Sequence, residues 1–417
     1  MIRRILYYTF GFLSTSALLA IPRGESPIQF YLLLLPLIFV DLTFLPFAKT
    51  KSSRLKNKYI IWTIITVISS LFGILYFLGD DLEPFRVMDI SYIPKIIIYF
   101  VLFLFFMYKK VGDRAEILMK GIMLGMIFNV VICIVESLIF YATGVAIIKD
   151  FLTFSSGDSI ARTIVRGESI RSTGFTVDPA TVALYAIILT SYGWYTKKYI
   201  YVILSFICSF ATISATMIVG SLMVTIYHMR GSKKNFIRIA LVSVISIFLF
   251  MTIDNPALNL LKQNMVERMD DKVETGDARR ADYWFMFPEA VAYSPHALIF
   301  GTGYMTASYA YIKIDPTIPK DFPYDPEQQF FANLFDWGLP GLIVWLSLYF
   351  LLYKKIKLIY YTRKADKLDP VYLSFVESVL VVCLFYHYTL FVVIMLILMC
   401  AILRVEQFER KCKVLNT

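Results

Sequence analysis

Long apolar runs separated by short basic joints dominate the chain. They predict helices over 5–21, 28–48, 59–79, 91–108, 117–143, 179–195, 236–253 and 328–353, most of them near the ~20 residues a bilayer-spanning helix needs. Two longer runs, 199–229 and 371–403, have basic residues at both ends: Lys197 and Lys198 against Arg230 and Lys233, then Lys364 and Lys367 against Arg404 and Arg410. A single crossing would leave one basic end outside, against the preference of Lys and Arg for the cytoplasmic side. Each run is therefore expected to fold back, turning near Ser214 and near His387, with a re-entrant segment as the alternative for the first. The expectation is an all-α polytopic membrane protein of about 12 transmembrane helices, a single membrane domain over 1–417 with both termini cytoplasmic.

Two segments break the pattern. Residues 144–178 and 254–327 are long and polar, and charge placement makes them extracytoplasmic loops. Pro316, Pro319, Pro323 and Pro326 predict an extended approach to the next helix across 315–327. Met1 to Ala20 resembles a signal peptide, with Arg3 and Arg4 before an apolar run, but the following runs continue the same domain, so an uncleaved first helix is expected. No internal repeat is found, which counts against a transporter built from repeated halves.

Composition agrees: hydrophobic residues make up 58% and charged ones 17%, against about 45–50% and 25% in soluble domains. The net charge of +10 collects in the loops assigned to the cytoplasm, while the outer segments hold more Asp and Glu than Lys and Arg. The lipid bilayer, not nucleic acid, accounts for it. The 5 cysteines, Cys133, Cys208, Cys383, Cys400 and Cys412, show no paired spacing, so neither a disulfide framework nor a metal site is expected. Asp41, Lys120, Asn129, Glu136 and Glu377 fall inside apolar runs, where polar groups are costly. Lys120 lies near a helix end and can snorkel; Asp41 and Glu136 can line a substrate route or pair with one another. His228, His296 and His387 read as interfacial or surface residues.

Three constellations carry candidate chemistry. Arg171-Ser-Thr-Gly174 leads through Asp178 and Pro179 into a helix, with Asp178 suited to cap it and Pro179 to its first turn. Guanidinium offers bidentate hydrogen bonds to phosphate, and Arg162 and Arg166 lie upstream in the same loop. The plain alternative is that Arg171 neutralises Asp178 or a lipid headgroup. Next, Arg279 and Arg280 precede Tyr283 and Trp284, then Gly301-Thr302-Gly303. Arg280, one helical turn before Trp284, shares its face; salt bridges with Asp277 and Asp282 are the alternative. Last, Asp325 and Glu327 enter the helix holding Asp336, Gly338 and Gly341. A partly desolvated Glu327 carboxyl at a helix mouth has the character of a general base, or, more simply, of a first-turn acid favoured by the helix dipole.

In order and spacing these segments resemble the O-antigen polymerase and O-antigen ligase superfamily. The resemblance rests on Arg171, Gly174 and Pro179; on Arg280, Trp284, Gly301 and Gly303; and on Glu327 ahead of Gly338 and Gly341. Glu327-Gln328 stands where ligases commonly show His-Asn, which favours a polymerase (Wzy). Ser214-Ala215-Thr216 lacks the arginine often seen in that hairpin turn, so a third phosphate contact would fall to Arg162 or Arg166. The resemblance implies a metal-independent, inverting, GT-C-like membrane glycosyltransferase without a cofactor, acting at the periplasmic face of the bacterial inner membrane. Its donor and acceptor would be undecaprenyl-diphosphate-linked glycans, with a chain-length regulator as accessory partner. In that reading Arg171 and Arg280 hold the donor diphosphate and Glu327 deprotonates the acceptor hydroxyl, with Arg162, Arg166, Arg279, Tyr283, Trp284 and Asp325 as further substrate contacts. A transporter or flippase of lipid-linked oligosaccharide is the alternative class, for which the intramembrane charges speak. The long outer loops and their arginines favour an enzyme.

Overall fold

The computed structural model describes residues 1–16, 19–21, 28–48, 53–76, 83–145, 164–166, 169–176, 179–212, 214–230, 252, 259, 286–303, 306–307, 309–312, 314, 329–362, 366–382 and 391–414. The chain forms two compact units interleaved in sequence. The first comprises 1–38, 113–274 and 370–381, and the second 39–112, 275–369 and 382–417.

In the first unit, α1 (Ile2–Ser14) lies along α5 (Arg114–Thr143). Gly121 and Gly125, four apart on α5, make this possible: a Cβ at Gly121 would overlap the Tyr8 carbonyl, and one at Gly125 would overlap Thr15. Small residues at this spacing let two helix backbones approach where no hydrophobic drive separates helix from lipid. The first helix is shorter than its apolar run suggests, because Ala20–Ile21 (β1) pairs with Ile28–Gln29 (β2) in a short antiparallel ribbon. After α5, Ile164–Arg166 (β3) and Ser169–Arg171 (β4) form a second such ribbon. The helix α6 (Pro179–Thr196) is buried at every position from Thr181 to Ser191 and packs on α5, α7 (Ile200–Ala211) and α8 (Ala215–Met229). Within the 199–229 run one helix ends at Ala211 and the next begins at Ala215, and Ser214 Oγ caps α8 by accepting from the Met217 N–H.

The second unit is built on α3 (Arg54–Tyr76), α4 (Glu83–Tyr108), α11 (Gln329–Tyr360) and α13 (Phe391–Val414), with the short helices α9 (Pro295–Phe300) and α10 (Tyr309–Ile312). Aromatic contacts fill it: Tyr59 stacks on Phe103 at 3.9 Å and Trp62 meets Trp337 edge-on at 5.2 Å. The unit boundary falls within α2 (Phe30–Thr43), after Ile38, while α12 (Asp369–Val382) belongs to the first unit except for its two end residues. At the start of α12, buried Asp369 receives Arg404 of α13 bidentately, both N–O distances being 2.7 Å.

Among the described residues the expected all-helical plan holds apart from two short ribbons. Among the described residues, α3 and α5 are long and apolar enough to cross a membrane, and shorter apolar helices lie at Phe30–Thr43, Tyr92–Tyr108, Ile200–Ala211 and Thr216–Met229. The expected helix over 236–253 and the turn at His387 lie outside the described residues.

Candidate functional site

In the first unit, the β3–β4 register sets Ile164 opposite Arg171 and Arg166 opposite Ser169. Directly opposed and alternate positions share a ribbon face, so positions 166 and 171 fall on the same one. Immediately after Arg171 the chain turns inward: Ser172, Thr173, Gly174 and Thr176 are buried. A stripe on α5 receives this turn. Ser172 Oγ donates to the Glu136 carboxylate, Cys133 Sγ donates to the Ser172 carbonyl at 3.2 Å, and the Phe175 N–H donates to Asn129 Oδ1 at 3.1 Å. Asn129 is itself held through Nδ2, which donates to the carbonyls of Thr15 (3.2 Å) and Gly125 (2.8 Å) and to Ser16 Oγ (3.0 Å). Glu136, whose place inside an apolar run the sequence left open between a route and Asp41, thus has Ser172 as a partner.

In the second unit, the expected helix over 328–353 is broken. Gly338 adopts φ 67° and ψ 174° within α11, two residues before Pro340. The break deprives the Phe335 carbonyl of its helical donor, and Pro340 has no N–H to offer Asp336. The Gly301-Thr302-Gly303 segment supplies both: the Thr302 N–H donates to the Phe335 carbonyl at 2.8 Å, and the Gly303 N–H to the Asp336 carbonyl at 3.1 Å. Thr302 Oγ1 adds a second bond to Phe335, and Asp336 Oδ1 accepts from the Thr306 N–H, both at 3.1 Å. Contact is too close for side chains. A Cβ at Gly301 would overlap the Asp336 carbonyl, and one at Gly338 would meet the Ile299 carbonyl at 2.5 Å. The Gly-x-Gly segment and the later glycine, singled out separately in the sequence, are two halves of one joint. Around it Ala290, Ala297, Ala307, Tyr309, Tyr311 and Phe335 form an apolar cluster.

A further polar cluster joins α6, α8 and α12. Ser191 Oγ and Tyr195 OH donate to Glu377 Oε2 at 3.1 and 2.9 Å, and His228 Nε2 lies 3.2 Å from Glu377 Oε1. His228, expected at an interface, is mostly enclosed and lies beside the Glu377 carboxylate. Likewise His296, expected at the surface, is half-buried and stacks on Tyr76 at 4.1 Å. Lys120, near the start of α5, pairs with Glu116 one turn earlier at 2.5 Å.

Of the residues expected to act on substrate, Arg166 and Arg171 are described through their ribbon backbone alone. Arg162, Arg279, Arg280, Tyr283, Trp284, Asp325 and Glu327, with the cap Asp178, lie outside the described residues. What sequence reasoning missed is the support beneath the motifs: Asn129, Cys133, Glu136, Thr302 and Thr306. The available signal was that a carboxylate or amide in an apolar helix needs a partner, and the nearest hydroxyl-bearing motif is 172–176.

Residues 180–346 match the family model described as O-antigen ligase (Wzy_C). The matched span contains the Arg280, Trp284, Gly301-x-Gly303, Glu327 and Gly338 positions, and begins after Arg171. No curated protein matches the chain. Over that span the chain is similar to the O-antigen ligase family, and among the described residues α3 and α5 are long and apolar enough to cross a membrane.

Proposed function

We propose that the protein is a periplasmic-face polymerase that joins undecaprenyl-diphosphate-linked repeat units into O-antigen or a related surface polysaccharide. The observation that supports this reading is the family match over 180–346, a span that includes Arg280, Trp284, Gly301, Gly303 and Glu327. In this reading Arg171 and Arg280 stabilise the negative charge that develops on the departing lipid diphosphate. Glu327 takes the proton of the acceptor hydroxyl, a step typically contributing about 10²- to 10⁴-fold. Inversion at the donor carbon follows from direct attack, and the protonated Glu327 returns its proton to solvent. No metal is required where fixed guanidinium charge neutralises the leaving group. Arg162, Arg166, Arg279, Tyr283, Trp284 and Asp325 are proposed substrate contacts.

A second reading, O-antigen ligase, is favoured by the description of the matched family itself. The two separate in cells whose own copy is deleted and which carry Arg171→Ala, Arg280→Ala or Glu327→Ala. For a polymerase, each variant inserts normally yet leaves glycans one repeat long on the acceptor. For a ligase, full-length polymer persists on the carrier lipid and the acceptor stays bare. Long chains attached normally in all three variants would sink both readings. Lipid-linked repeats retained on the cytoplasmic side would indicate a flippase.

A further inference from the structure

Asn129, Cys133 and Glu136 stand at successive steps of four and three along α5, the spacing that keeps side chains on one helix face. All three are buried, and all three bond the segment 172–175. The segment runs antiparallel to α5, so the stripe is read in order. Asn129 takes the Phe175 N–H, Cys133 the Ser172 carbonyl, and Glu136 the Ser172 hydroxyl. Phe175 adds an apolar anchor at the far end, its ring parallel to Phe128 at 5.8 Å. Glu136 is the member of the stripe at the Ser172 end, and its partner is the residue next to Arg171. A carboxylate is a costly choice inside an apolar helix, and an alanine there would leave Ser172 without its strong acceptor.

We propose that Glu136 is a positioning residue: through Ser172 it fixes where the chain leaves the α5 face, and so where Arg171 is presented to an anionic, diphosphate-bearing substrate. Asn129 holds the far end of the segment at Phe175, while Cys133 and Glu136 both hold Ser172, Cys133 at its carbonyl and Glu136 at its hydroxyl. The functional part of this inference rests on the polymerase or ligase reading; the structural part does not.

The test uses the full-length protein in lipid nanodiscs. Glu136→Gln keeps an acceptor for Ser172, while Glu136→Ala and Ser172→Ala remove one side of the bond. In an Arg171→Cys background, the rate of modification of residue 171 by a membrane-impermeant maleimide, followed by peptide mass spectrometry, should shift severalfold with Glu136→Ala and Ser172→Ala and stay close to the parent with Glu136→Gln. In glycan transfer from a diphosphate-linked donor, Glu136→Ala should raise the KM for the donor by about tenfold to a hundredfold, the scale of a small misplacement, with a smaller change in kcat. Glu136→Gln should restore most of it, and Glu136→Ala should add nothing in an Arg171→Ala background. An unchanged labelling rate, or losses that add fully to those of Arg171→Ala, would overturn the positioning role. A shifted labelling rate in a protein whose lipid-linked glycans are processed identically in every variant would keep the structural inference and remove the functional reading beneath it.

Discussion

At the scale of single residues, backbone conformation carries much of the specificity. Gly338 occupies a region of φ and ψ that is essentially closed to side chains, where strain is about 1–3 kcal/mol, and the Ile299 carbonyl stands 2.5 Å from where a Cβ would be. Gly338→Ala is therefore expected to destabilise the protein by at least about 1–3 kcal/mol, seen as a lower midpoint of thermal unfolding in detergent. An unchanged midpoint would mean that α11 can run straight through. The glycines were visible in the sequence and their spacing was noted, but nothing in a one-dimensional string says that Gly301 and Gly338 face each other. The same holds for Glu136 and Ser172, each conspicuous alone and explained only as a pair.

Elements differ from their apolar patterns where a hydrogen bond or turn outweighs hydrophobicity. The run at 5–21 yields only Ile2–Ser14 as helix, because the chain next enters the β1–β2 ribbon. The run at 199–229 breaks where charge symmetry required, and Ser214 caps the returning helix. Polar support was the least legible part, because its partners are remote in sequence: Ser53 Oγ donates to Glu406 at 2.6 Å, and Lys58 Nζ to Ser347 Oγ at 2.7 Å. The Arg404–Asp369 fork, which ties the start of α12 to α13, is the strongest such join. Arg404→Ala would strand a buried carboxylate, a change of about 3–5 kcal/mol, and Arg404→Lys should recover only part, since an ammonium cannot reproduce the planar fork. Equal unfolding midpoints for the parent and Arg404→Ala would refute this account.

For the whole molecule, the helical class was legible from apolar content, and the resemblance drawn from motif order agrees with the family match over 180–346. The number of crossings was not, since α3 and α5 alone among the described residues pass a strict test of length and apolarity. Topology can be measured directly. Reporter fusions at both termini and after Arg230 should fluoresce with a cytoplasmic marker and fail with alkaline phosphatase, while a phosphatase inserted within 254–285 should be active. The reverse pattern at both termini would invert the assignment of every loop, and at one terminus alone would make the number of crossings odd.

Two contacts on α3 act as marks on a ruler. Lys58 bonds Ser347, and eleven residues further on, Ser69 Oγ donates to the Phe300 carbonyl at 2.7 Å. Eleven residues of helix rise about 16 Å, roughly half of a ~30 Å hydrocarbon core. With α3 crossing the bilayer and Lys58 at its basic edge, Phe300 and the glycine joint beside it stand at mid-membrane depth. Irregular backbone survives at such depth only when protein satisfies it, and that is what Thr302 and Gly303 do for α11. At that depth no water replaces a lost donor, so the joint holds only while its glycines keep the two backbones in contact.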